Sequence, residues 1–193
     1  EGQDAGDLGP RRRRRLGLAF VPEERLGHGA VPEMSLADNA LLTGYDRQDL
    51  LSRGNIMFSR TRDYAQRIVQ SFQVVSGGVG SHAGSLSGGN LQKFIIGREL
   101  LQNPKVLVVA HPTWGVDAGA AAAIHTALLD LVSQGTAILM VSQDLDELLQ
   151  ISDRIAVLSA GRLSECMVTA EADIGRIGLL MGGHGPESNA EST

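Results

Sequence analysis

Leu86-Ser87-Gly88-Gly89-Asn90 opens a segment that continues through Leu91, Phe94, Ile95 and Leu100 to Asn103-Pro104, and then into Val106-Leu107-Val108-Val109-Ala110. The first part places apolar residues at helical spacing and stops at a proline; the second is an unbroken apolar run of strand length. Further along, residues 118–133 have helix length and close on Gly135, and residues 137–142 form a second continuously apolar run. Strand, helix and strand in this order predict an α/β protein whose parallel sheet is covered on both faces. Residues 16–21 and 154–159 are two further runs of strand character, and 154–159, Ala160-Gly161 and 162–168 read as a hairpin or as strand, turn and strand.

The stretch from residue 32 to about 75 has another rhythm. Ser35 followed by Asp38 marks a helix start, and Ala65, Ile68, Val69 and Phe72 repeat at helical spacing within 61–72. This part reads as a helical insertion, joined to the Ser-Gly-Gly segment by a flexible connector over 77–84. Asp144 and Glu147 mark the cap of a further short helix.

With 193 residues, 42% of them hydrophobic and 20% charged, the chain can build one core, with or without a small subdomain. No apolar run approaches the roughly 20 residues of a membrane-spanning helix, so a membrane role is expected to be peripheral. A net charge of -5 argues against broad nucleic-acid binding, although residues 11–15 are all arginine. That run reads as a solvated face or linker. One cysteine, Cys166, excludes an internal disulfide and is expected to be a small core residue. His28, His82, His125 and His184 have no mutual spacing of a metal site. The first ten residues and those after 181 are polar and glycine-rich and are expected to be disordered.

Chemically, the Ser-Gly-Gly segment suits an anion: glycines admit close approach of backbone to a ligand, free N–H groups point out of a helix start, and Ser87 adds a hydroxyl. The same three residues also make an ordinary N-cap. The downstream residues weigh on the choice. Val106 to Ala110 is succeeded by Pro112-Thr113-Trp114-Gly115-Val116-Asp117, a helix, and Val141-Ser142-Gln143-Asp144.

This order resembles the ABC ATPases: signature motif, Walker B strand, D-loop and H-loop, over roughly residues 16–168. Asn90 in the signature, Val21-Pro22-Glu23-Glu24-Arg25, and Gly44-Tyr45-Asp46 look like the second nucleotide-binding domain of the tandem ATPases that serve sugar and purine-nucleoside importers. The resemblance implies an incomplete P-loop NTPase-like sheet with an inserted helical subdomain. Its divisions fall at 1–15 (linker), 16–31 (Q-loop strand), 32–85 (helical signature subdomain), 86–168 (signature helix and core) and 169–193 (tail). It places Ser87, Gly88 and Gly89 against the γ-phosphate of an ATP, with magnesium, whose P-loop belongs to a partner, and counts Asn90 among the nucleotide-binding residues. Glu23 falls at the Q-loop and Asp117 at the D-loop. The partners implied are a first nucleotide-binding domain, of the same polypeptide or subunit, and a transmembrane permease at the cytoplasmic face of the membrane.

The sequence departs from the family pattern where hydrolysis needs it. The Walker B aspartate, the following glutamate and the H-loop histidine are replaced by Ala110, His111 and Gln143. The two lysines, Lys93 and Lys105, are followed by Phe94 and Val106, so neither belongs to a P-loop. In the family that loop would precede residue 1. Its strand would lie between 137–142 and 154–159, and without it two strand edges would face a gap and favour self-association. The chain alone is therefore expected to be inactive. A soluble ABC-type ATPase of DNA repair or translation, and a structural remnant without nucleotide contact, are the rival readings.

Overall fold

The computed structural model describes residues 4–183; residues 1–3 and 184–193, and with them His184 and the far end of the expected tail, lie outside the described residues. The chain divides into two compact units, Glu1–Ser142 and Gln143–Thr193.

The first unit begins with a departure from expectation. Residues 11–15 do not form a linker but most of helix α1 (Pro10–Leu16), with Arg11, Arg12 and Arg15 on an exposed face, as the other expectation has it; proline starts the helix and Gly17, at φ 116°, ends it in the left-handed conformation. The arginines are drawn into pairing: Arg14 reaches the carboxylate of Glu99 at 2.9 Å, and Arg11 and Arg15 face Asp46 at 3.8 and 3.2 Å. The Asp46 carboxylate raises the pKa of Arg15 further.

Strand β1 (Leu18–Val21) follows, then helix α2 (Leu36–Gly44), whose N-cap Ser35 accepts from the Asp38 amide. Strands β2 (Leu51–Ser52) and β3 (Asn55–Ile56) form a small hairpin ahead of helix α3 (Phe58–Ser71). Helix α4 (Gly88–Leu100) starts at the Ser-Gly-Gly segment and packs against α2, α3 and β1. Residues 77–84 are held by backbone bonds, with the amides of Leu36 and Ala37 donating to Ser81 and Val79. Strand β4 (Val106–Ala110), helix α5 (Ala118–Ser133) and strand β5 (Ala137–Val141) complete the unit, and Asp117 caps α5.

The sheet runs β1-β4-β5, all parallel, with Phe20 opposite Val108 and Val108 opposite Leu139. One face is core: Ala19, Val21, Leu107 and Val109 are fully buried. The other is not covered as expected. Phe20, Val106, Leu139 and Val141 share it and are exposed. Among the described residues β5 pairs with β4 alone.

At the centre of the helical layer lies a buried polar cluster. Glu99 is fully buried between Arg98, at 2.9 Å, and Arg14. Arg98 also donates to the carbonyls of Gly29 (2.8 Å) and Asn39 (3.3 Å), and the Tyr64 hydroxyl donates to the Arg98 carbonyl at 2.5 Å. Burial raises the Tyr64 pKa and keeps it a neutral donor.

The second unit contains helix α6 (Leu145–Ile151), capped by Asp144, and short strands rather than the continuous ones expected over 154–159 and 162–168. Strands β6 (Arg154–Ile155) and β9 (Met167–Val168) pair antiparallel, as do β7 (Leu158–Ser159) and β8 (Arg162–Leu163). Ala160 and Gly161, at φ 49° and 76°, make the tight turn between the latter two. Helix α7 (Ile174–Met181) follows an Asp173 cap. Cys166, expected in the core, is exposed just before β9. No helix among the described residues is long and apolar enough to cross a membrane.

Candidate functional site

Ser87 is both cap and candidate donor. Its oxygen accepts from the Asn90 amide (3.4 Å) and from Asn90 Nδ2 (2.9 Å), which leaves the hydroxyl hydrogen to point elsewhere. Asn90 in turn accepts from the Val75 amide at 2.9 Å, so the end of the helical insertion is fastened to the first turn of α4. Gly88 and Gly89 occupy that first turn, where backbone N–H groups have no helical partner. A side chain on Gly89 would come within 3.0 Å of the Gly115 carbonyl. The two loops therefore touch through backbone, as glycine alone permits.

Two residues hold this junction: Gln92, which the sequence motifs do not include, and Arg25, included only within the 21–25 element. Gln92, one turn into α4 and buried, donates from Nε2 to the carbonyls of His111 (3.2 Å) and Pro112 (3.0 Å). Arg25 donates to the Trp114 carbonyl. Burial of its guanidinium lowers its pKa from the usual arginine value.

Around β4 the geometry follows the sequence order. Ala110 ends the strand, and its side chain is a methyl group without oxygen. His111, at φ 47°, donates its amide to the Val141 carbonyl (2.8 Å), tying the tips of β4 and β5 together. Its ring meets Trp114 edge-on at 5.5 Å, and its Nε2 lies 3.9 Å from Glu23 Oε1. Thus Glu23 and His111 are brought together, and Trp114 stands exposed beside them. Asp117 accepts from the Ala120 amide at 2.9 Å, and this bond, outweighing desolvation, holds its pKa below the usual carboxylate value. Gln143 opens the second unit. Among the described residues no group of three His, Cys, Asp or Glu side chains is placed to hold a metal ion.

No protein-family model matches the chain. Curated relatives do. A glucose import ATP-binding protein of Haloferax volcanii is 38% identical over 188 residues, covering 96% of this chain and 34% of the relative. A nucleoside import ATP-binding protein of Lactococcus lactis is 36% identical over 181 residues, 94% of this chain and 36% of the relative. A ribose import ATP-binding protein of Rubrobacter xylanophilus is 38% identical over 186 residues, 95% and 37%. Over nearly its whole length the chain is thus homologous to ATP-binding proteins of sugar and nucleoside import. It spans about a third of the length of these relatives.

Solved ABC cassettes share the fold. A dimeric ATP-binding cassette in a post-hydrolysis state, bound to ADP and Pi, superposes with a TM-score of 0.69 at 20% identity, over 84% of this chain and 68% of that one. The ATP-binding subunit of an ABC transporter gives 0.72 at 20%, over 94% and 74%.

Proposed function

We propose that this ABC chain supplies the signature side of a composite ATP site in an importer of sugars or nucleosides, working with a nucleotide-binding domain that carries an intact P-loop. The supporting observation is the first turn of α4, where Ser87, Gly88 and Gly89 are presented by Gln92 and Asn90 beside the 112–117 loop. Bound ATP, with its magnesium, would bring the γ-phosphate and the bond to be broken. This chain would contribute donors: the N–H groups of Gly88 and Gly89 and the Ser87 hydroxyl. Asp117 would serve the D-loop by fixing the start of α5, and Glu23 the Q-loop that senses nucleotide and faces the permease.

The chain's own Walker B position does not fit magnesium, because Ala110 has no oxygen to offer and Glu23, the carboxylate beside His111, lies on another loop. An imidazole without the metal carboxylate is a poor way to drive phosphoryl transfer. Hydrolysis therefore belongs to the partner's site, and this one is degenerate. Residues 32–85 would be the helical subdomain that receives the permease, at the cytoplasmic face of the membrane. The isolated chain would self-associate through an unpaired strand edge of its sheet, which sedimentation velocity would show as concentration dependence; a monomer at every concentration overturns this.

The principal test is titration of ATP with and without a domain bearing an intact P-loop, with turnover followed in the assembled importer. Ser87→Arg or Gly88→Asp should abolish hydrolysis without unfolding the protein. Wild-type turnover by a folded Gly88→Asp importer refutes the assignment.

A further inference from the structure

Among the described residues, the 22–25 segment leaves one cation with no carboxylate partner. Glu24 turns to His28, 2.6 Å away, and Glu23 turns toward His111. Arg25 goes the other way. The only hydrogen bond of its side chain among the described residues is donated to the Trp114 carbonyl. Its guanidinium lies against both glycine loops: a side chain on Gly88 would come 2.8 Å from Nη1, and one on Gly115 would come 3.1 Å from Nη2. Gly115 is held at φ 67°, a left-handed conformation that glycine adopts without strain. The guanidinium plane thus occupies the space that side chains at residues 88 and 115 would take, and it touches the signature turn, the D-loop and its own loop at once.

We propose that Arg25 is a positioning residue that fastens the 22–25 loop to the Trp114-Gly115 turn and to the first turn of α4, and so fixes where Ser87, Gly88 and Gly89 present their donors. The nucleotide half of this statement rests on the composite-site reading; the fastening does not. Arginine suits the task where lysine does not, because a flat fork can bond one carbonyl and still lie against two backbone segments, whereas an ammonium is a compact, strongly hydrated point. The arrangement also joins the element carrying Glu23 to the signature turn, so a displacement of the 22–25 loop is transmitted to residues 87–89 through one side chain.

The test has two readouts. In the chain itself, hydrogen exchange at the amides of Leu91, Trp114 and Val116, which are bonded to Ser87, His111 and Thr113, should quicken about tenfold in Arg25→Ala, the loss of one charged hydrogen bond. Exchange in β4 should stay unchanged. In the ATPase assembled with an intact P-loop domain, Arg25→Ala should lower kcat about tenfold with the melting temperature retained, since misplaced donors cost rate rather than fold. Arg25→Lys should recover only part. Gly88→Ala, which displaces the guanidinium, should reproduce the defect, and the double variant should be no worse than either single one.

Unchanged exchange at those three amides, or additive effects of the two substitutions, overturns the proposal. Uniformly faster exchange with a falling melting temperature also overturns it, because Arg25 would then be merely structural. Ser87→Arg separates the two levels. If that variant turns over normally, the composite-site reading falls with the nucleotide half, and exchange alone decides the fastening. If Ser87→Arg is dead while Arg25→Ala has wild-type kcat, the composite site stands and the role of Arg25 falls.

Discussion

Replacing Glu99 by glutamine should be among the most damaging single changes in the core. The side chain is fully buried and Arg98 is 3% exposed, so the substitution leaves a buried guanidinium without its counter-charge. Breaking a buried pair from one side costs about 3–5 kcal/mol. Arg98 keeps its bonds to the carbonyls of Gly29 and Asn39, which argues for the lower end of that range. About 3 kcal/mol is a large part of a typical total of roughly 5–15 kcal/mol. The thermal midpoint should fall by roughly 6–12 °C for a chain of this size. Arg14→Ala removes a partner that is itself 24% exposed and screened by water, and should cost about 1 kcal/mol or less. Urea unfolding of the three proteins at pH 7 measures the order directly.

Acid supplies a second check on the same residue. Burial works against ionisation of Glu99, but the charges of Arg98 and Arg14 outweigh it and hold the carboxyl below its ordinary value of 4.5. As pH falls, the unfolded chain therefore takes up this proton before the folded one does. The stabilisation is complete above the ordinary value and is lost as pH falls from there through the folded pKa. The gap between wild type and Glu99→Gln should accordingly narrow in that acid window. A gap below about 1 kcal/mol at neutral pH would show that the buried pair does not carry the weight given to it. An unchanged gap through the window would say the same.

Other expectations rest on single contacts. A side chain on Gly97 would run into the ring of Phe72, a rigid neighbour, so Gly97→Ala should destabilise by about 1–3 kcal/mol; a neutral result in urea would mean that α3 and α4 give way freely. Ser35→Ala removes the cap of α2 and should cost about 1 kcal/mol, and equal stability would assign that helix to packing alone. The isolated chain should show no ATPase activity; magnesium-dependent turnover that His111→Ala abolishes would restore catalysis to this site.

The parts of the fold legible in the sequence are those with a period of their own. Helix α5 matches its expected limits and β4 and β5 lie within one residue of theirs, because each is a run whose length and breakers settle its type. The arginine run gives its solvated face but not its helix, for the opposite reason. A block of like charge says nothing of what it will face, and the carboxylate that fixes Arg14 lies 85 positions away. The hairpin expected over 154–168 is present, but apolar alternation does not reveal where pairing stops; its two short ladders leave Cys166 outside both. At the site, Ser87, Gly88 and Gly89 stand out through local chemistry. Gln92 and Arg25 do not, since each acts on backbone carbonyls that sequence does not display. The signal available for Arg25 is indirect: glycine at both 88 and 115 marks a space kept free of side chains.

Helix α1 has a practical consequence. Five consecutive arginines are the densest run of trypsin-sensitive bonds in the chain, yet they lie within a helix whose fourth arginine is bound to a buried carboxylate. A protease needs the backbone extended in its cleft, so cutting there requires the helix to unwind and Arg14 to leave Glu99. When unwinding and rewinding are fast relative to cleavage, the cleavage rate follows the small fraction of molecules with α1 open. The run that looks most vulnerable on paper thus becomes a gauge of local opening at the heart of the helical layer, read by digestion and mass spectrometry without any label.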